Sequence, residues 1–220
     1  MTFFDRFKLG FALSIIAGLF IGIAGFGYLA VGGIPGAILF AFGLIGVVSY
    51  KCKLFTGTAG YVNKEDWIDL TWILIGNLIG TFLIGLMSKV SPMNLNETAE
   101  MIIGLRINTP TGHLFVLAIG CGFLMTTAVE FARKSHWLPL LFAVPMFILC
   151  GFPHCIADSF YIFACRQCPD IEVLIPKYFM IVFGNLVGCN TFRLLCNGWR
   201  YITKTKEIFR CKNNSYICIT

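Results

Sequence analysis

Four uninterrupted apolar runs, at residues 9–31, 68–87, 114–131 and 178–195, constrain this chain more than any other feature. A helix needs about 20 apolar residues to cross the hydrocarbon of a bilayer, and each run meets or approaches that length. Of the 220 residues, 57% are hydrophobic and only 13% charged, and mean hydropathy is +0.80. A soluble domain is about 25% charged, so this chain has too few charges to cover its apolar surface in water. Lipid is the solvent that suits it. The run at 9–31 is long enough to span and stay, and is expected as a span rather than a cleaved signal. Without a linker or low-complexity tract, one transmembrane domain is expected at 1–200, with a cytoplasmic tail at 201–220.

Two further runs are broken. The run 37–50 stops at Lys51-Cys52-Lys53 and resumes as Leu54-Phe55-Thr56-Gly57. The run 138–152 meets Pro153 and resumes at 154–163. A helix of about 14 residues rises only about 21 Å and cannot cross alone. Non-helical backbone at membrane depth is tolerated where it is buried or lines a cavity, so the breaks point at a pore. The pentads Gly76-Asn77-Leu78-Ile79-Gly80 and Gly184-Asn185-Leu186-Val187-Gly188 each fall in the span after a break. Each half then reads full span, broken span, full span. Three spans per half insert the halves with opposite orientation, and paired interrupted segments are the sequence pointer to a transporter's central site. The simpler reading of the pentads is small-residue helix packing.

Lysine and arginine set the orientation. Arg6, Lys8, Lys51, Lys53, Lys64, Arg133, Lys134 and the tail residues Arg200, Lys204, Lys206, Arg210 and Lys212 fall on one side. Lys89, Arg106, Arg166 and Lys177 fall on the other. Both termini are expected in the cytoplasm, and the net charge of +6 needs no nucleic-acid partner.

His154 is the one histidine within a run, and an ionisable group there is usually functional. Imidazole titrates near neutral pH and can give a hydrogen bond or a proton to an entering anion. A structural role closing backbone groups at the break is the competing reading. Thr56 at the other break can donate to His154 or to a permeant ion, or cap the half-helix after it. Asp158, four residues after His154, shares its helical face; it serves either His154 or helix packing. Arg106 is either an anion-concentrating cation at the outer mouth or a solvated loop charge. Most of the ten cysteines lie in apolar runs, where a thiol behaves as a small hydrophobe. Cys165 and Cys168 form a lone C-x2-C that reads as two thiols or a local disulfide rather than a zinc site. No cofactor or metal is expected.

At its two breaks the chain resembles the formate/nitrite transporter family. Lys53-Leu54-Phe55-Thr56-Gly57 looks like that family's loop in the interrupted second span. Gly151-Phe152-Pro153-His154-Cys155-Ile156-Ala157-Asp158 resembles its central-histidine motif, and the pentads, the three-plus-three layout and the cytoplasmic termini match. The resemblance implies an all-α membrane protein with six transmembrane helices: an aquaporin-like inverted 3+3 repeat with interrupted second and fifth helices, assembled as a homopentamer with a pore in each protomer. It implies small monovalent anions as substrates (formate, nitrite, hydrosulfide or lactate) and apolar constrictions on either side of a central histidine. Those constrictions match Phe40, Leu44, Leu54, Phe55 and Phe147. Three positions depart from the family: Pro153 stands where Glu is common, Gly122 where a polar Asn lies in the fourth span, and Arg106 where the outer connection carries Lys.

The expected function is passive or proton-coupled transport of a small monovalent anion or its conjugate acid across a lipid bilayer, by a protein of the plasma or inner membrane that is not an enzyme. Pro153 and Gly122 remove polar groups, which keeps two alternatives open: a neutral-solute pore for water, ammonia or a weak acid, and a non-conducting homologue. A haem or redox protein would need paired intramembrane ligands, which His154 alone does not supply.

Overall fold

A computed structural model describes residues 3–61, 67–167 and 170–213. Lys64, Cys168 and the end of the tail lie outside the described residues. The described residues are helical, without strands: α1 (Phe3–Val31), α2 (Gly33–Ser49), α3 (Phe55–Thr58) followed by a 3-10 turn (Ala59–Tyr61), α4 (Trp67–Lys89), α5 (Leu95–Asn108), α6 (Thr111–Arg133), α7 (Leu138–Leu149), α8 (Cys155–Ala164) and α9 (Ile171–Asn213). The four helices holding the long runs are the ones long and apolar enough to cross a membrane. Both expected breaks are present, at 50–54 and 150–154.

Three helices add to the sequence expectation. α2 starts at Gly33, ahead of the apolar run, because Pro35 sits in its first turn, where the missing N–H has no intrahelical partner to lose. The connection before α6 contains a helix, α5, with Leu95, Ala99 and Ile103 buried on one face. That four-residue spacing is helical, but Glu97, Glu100 and Arg106 mask it in a search for apolar runs. α9 runs without interruption past residue 200 to Asn213.

Packing repeats between the halves. α1 lies against α4 and α2, and α6 lies against α9 and α7. Each half-helix then crosses over: α8 packs on α4, while α3 and its 3-10 turn pack on α9. The long-helix crossings are closed by glycines. A Cβ on Gly18 would overlap the Asn77 carbonyl, and one on Gly122 the Asn185 carbonyl. Likewise Gly80 meets the Ile15 carbonyl and Gly188 the Ile119 carbonyl. The pentads therefore interlock backbone against backbone, as small residues do between membrane helices. The polarity is that of a membrane protein. Ile38, Leu39, Phe42, Phe82, Leu83, Val116, Phe179 and Phe183 face outward, while Thr56, Asn77, Thr81, His154, Asp158, Ser159 and Asn185 are buried.

Candidate functional site

The two breaks share one backbone plan. At the end of α2, Cys52 N–H donates to Val47 O at 2.8 Å and Lys51 N–H to Val48 O at 3.1 Å, with Lys51 left-handed at φ 52°. At the end of α7, Phe152 N–H donates to Phe147 O at 2.9 Å and Gly151 N–H to Ile148 O at 3.1 Å, with Gly151 at φ 70°. Both are Schellman caps, in which a left-handed residue lets the last carbonyls of a helix find donors.

The restart of each half-helix is held by the asparagine of a pentad. Asn77 Oδ1 accepts Phe55 N–H at 2.8 Å, and its Nδ2 donates to Lys53 O at 2.9 Å and Ser14 O at 2.7 Å. Asn185 Oδ1 accepts Cys155 N–H at 2.8 Å, and its Nδ2 donates to Pro153 O at 3.0 Å and Ala118 O at 2.8 Å. Both side chains are fully buried. Each amide thus satisfies backbone groups that would cost about 1–3 kcal/mol apiece if buried unpaired. Sequence reasoning took the pentads as packing or repeat signals and missed this role. The available signal was an amide inside an otherwise apolar helix, occurring twice.

The breaks bring Thr56 and His154 together. Thr56 Oγ1 and His154 Nε2 are 2.9 Å apart, and both residues are buried, Thr56 at 0% and His154 at 2% exposure. His154 is the N-cap of α8, and its Nδ1 accepts the Ala157 N–H at 3.1 Å. An Nδ1 that accepts leaves the proton of neutral imidazole on Nε2. The tautomer follows from this bond network: Nε2–H donates to Thr56, and the threonine hydroxyl proton is left to serve another acceptor. The capping role and the placement beside Thr56 hold together. On the other side, Cys189 Sγ donates to the Thr56 carbonyl at 3.1 Å, and Ser159 and Thr81 are linked at 2.9 Å.

Of the apolar candidates, Phe147 lies against this pair. The Phe147 ring lies 5.5 Å from His154, tilted by 30°. Phe40 meets Phe147 edge-on at 5.8 Å and 89°. Leu44 lies one turn after Phe40 on α2, and Leu54 and Phe55 directly precede Thr56; all are buried. Pro153 is buried as well, with its carbonyl on Asn185. Gly122 sits at the α6–α9 crossing, with no room for a side chain.

Arg106 and Asp158 meet each other. Arg106, in the last turn of α5, donates through Nε to Asp158 Oδ2 at 3.2 Å and through Nη1 to the Gly151 carbonyl at 2.7 Å. Asp158 Oδ1 has no hydrogen-bond partner among the described residues.

The model of the family described as "Formate/nitrite transporter" matches residues 5–199. The chain belongs to the formate/nitrite transporter family. It is 28% identical over 185 residues to the formate channel FocA of Escherichia coli (strain K12), a match covering 69% of this chain and 64% of that protein. The chain therefore spans just under two thirds of the length of the curated relatives it matches. Among solved structures, a pentameric formate channel with formate bound superposes with a TM-score of 0.82 at 22% identity, covering 91% of this chain and 100% of the other. An FNT family ion channel gives 0.69 at 15% identity, covering 91% and 90%. These likenesses show the fold. Family membership and the apolar helices make this an integral membrane protein of a transporter family, not an enzyme.

Proposed function

We propose that the chain forms a pore for a small monovalent anion, or its conjugate acid, with His154 and Thr56 at its centre. The observation carrying this reading is the 2.9 Å hydrogen bond that joins the two helix breaks inside an apolar surround. With Nδ1 used to cap α8, the imidazole Nε2 and the Thr56 hydroxyl are left facing each other at that depth.

In this reading α2 with α3, and α7 with α8, are single interrupted spans. With α1, α4, α6 and α9 they make six crossings, in two inverted halves with cytoplasmic termini. Residues 1–200 are the pore domain and 201–220 the tail. Phe40 and Phe147 narrow the path on one side of the centre; Leu44, Leu54 and Phe55 narrow it on the other. A bare anion crossing either gate loses hydration at a cost of several kcal/mol. The threonine hydroxyl proton, left free because His154 Nε2–H donates to Thr56 Oγ1, offsets part of that cost. A proton drawn from the entry side, so that the solute passes as its conjugate acid, removes the charge before the second gate, with protons as the coupled partner. Formate, nitrite, hydrosulfide and lactate fit this chemistry. The pentameric formate channel that shares the fold supports a homopentamer with one pore per protomer.

The test is uptake into proteoliposomes of formate, nitrite, hydrosulfide, lactate and acetate, each at two pH values, with His154→Ala as control. Saturable uptake of one or more of these, lost in the variant, is expected. High water permeability with no anion or acid uptake would instead establish the neutral-solute pore.

A further inference from the structure

Arg106 has the charge to draw anions toward the pore, yet it already holds an anion. Its Nε is 3.2 Å from Asp158 Oδ2, and its Nη1 is bound to the Gly151 carbonyl. The arginine side chain is 15% exposed and the aspartate 2%, so the carboxylate lies beneath the guanidinium and out of reach of solvent. We propose that Asp158 is a resident counter-ion that cancels Arg106 and biases the pore toward neutral conjugate acids over bare anions.

The physical case has two parts. A cation and a carboxylate in contact act at a distance as a dipole, and the focusing that a lone charge exerts on ions in a cleft is lost. An entering anion would then have to displace a carboxylate already in place, or settle beside it against like-charge repulsion. A neutral acid meets neither obstacle. In addition, Asp158 Oδ1 is buried and has no hydrogen-bond partner among the described residues, so the carboxylate is answered by Arg106 and not by a second donor. The Gly151 bond also ties the pair to the backbone of the second break, so the counter-ion sits beside the loop that carries His154.

This inference rests on the reading that solutes pass His154, and its test is arranged to fail separately. Uptake of nitrate, the anion of a strong acid, and of formate, the anion of a weak one, is compared at one fixed pH in proteoliposomes. Asp158→Asn frees the guanidinium: nitrate uptake should rise about tenfold while formate uptake stays within about threefold, the scale expected for uncovering one focusing charge. Arg106→Gln leaves the carboxylate alone, and the nitrate-to-formate ratio should fall below that of the parent. The double variant, with neither charge, should return the ratio to near the parent value. Should Asp158→Asn fail to fold, Arg106→Gln decides alone, since equal losses of nitrate and formate uptake overturn the proposal. A parent protein that transports, with a ratio unmoved by either substitution, overturns the counter-ion only. A parent without any uptake dependent on His154 overturns the transport reading and this one with it.

Discussion

At the first break α2 stops on a lysine, Lys51 at φ 52°, and the chain restarts with Thr56 in the first turn of α3. At the second, α7 stops on a glycine, Gly151 at φ 70°, and restarts with His154 as the N-cap of α8. The caps use the same pair of backbone bonds, and an asparagine from the next long helix holds each restart. What differs is chemistry and bracing. The first break offers a hydroxyl; the second offers an imidazole and is tied from outside by Arg106 on the Gly151 carbonyl. One backbone solution has thus been used twice while the side chains at its tips diverged. The proposed site lies on those tips, where the two breaks differ.

The largest expected effect tests the shared frame. Asn77→Ala and Asn185→Ala each remove three hydrogen bonds to backbone groups. At about 1 kcal/mol per bond each should lose about 3 kcal/mol or more of stability. Unfolding in detergent should show similar losses at the two sites, and a loss confined to one would end the equivalence of the breaks.

Next come the glycines under the asparagines. Gly18→Ala and Gly122→Ala press a methyl onto the Asn77 and Asn185 carbonyls, and each should cost about 1–3 kcal/mol. Gly122→Asn should be worse than Gly122→Ala in the same unfolding assay. A well-folded Gly122→Asn would mean that the α6–α9 crossing is looser than described.

The smallest effect sharpens the difference between the breaks. Left-handed backbone costs a residue with a Cβ about 1 kcal/mol relative to glycine. Lys51→Gly should therefore raise the melting temperature slightly, and Gly151→Ala should lower it. Shifts of the same sign would show that one of the two caps is not left-handed.

Much of this frame was legible in the sequence. Lys51-Cys52-Lys53 and Pro153 interrupt apolar runs, and interruption is a one-dimensional signal. Thr56 and His154 were singled out because each lies where a broken run resumes, and the structure brings them to 2.9 Å. The asparagine clamps were not, since an amide's partners depend on which carbonyls a helix crossing brings to it. Ser14 and Ala118 are far from Asn77 and Asn185 in the chain. Gly122 read as a missing polar group, because only the crossing shows that no side chain fits there. Arg106 and Asp158 were each weighed alone. Their pairing depends on α5, a helix whose buried stripe of Leu95, Ala99 and Ile103 is too sparse to register as an apolar run.

The meeting of Thr56 and His154 is best tested by a double-mutant cycle on transport. Formate uptake would be measured for Thr56→Val, His154→Ala and the pair together, in proteoliposomes of matched protein content. If the two side chains act as one donor unit, either substitution alone should remove most uptake, and the double variant should be no worse than the weaker single. Independent, multiplying losses, or a Thr56→Val protein with full uptake, would mean that the two breaks do not meet to form the transport centre.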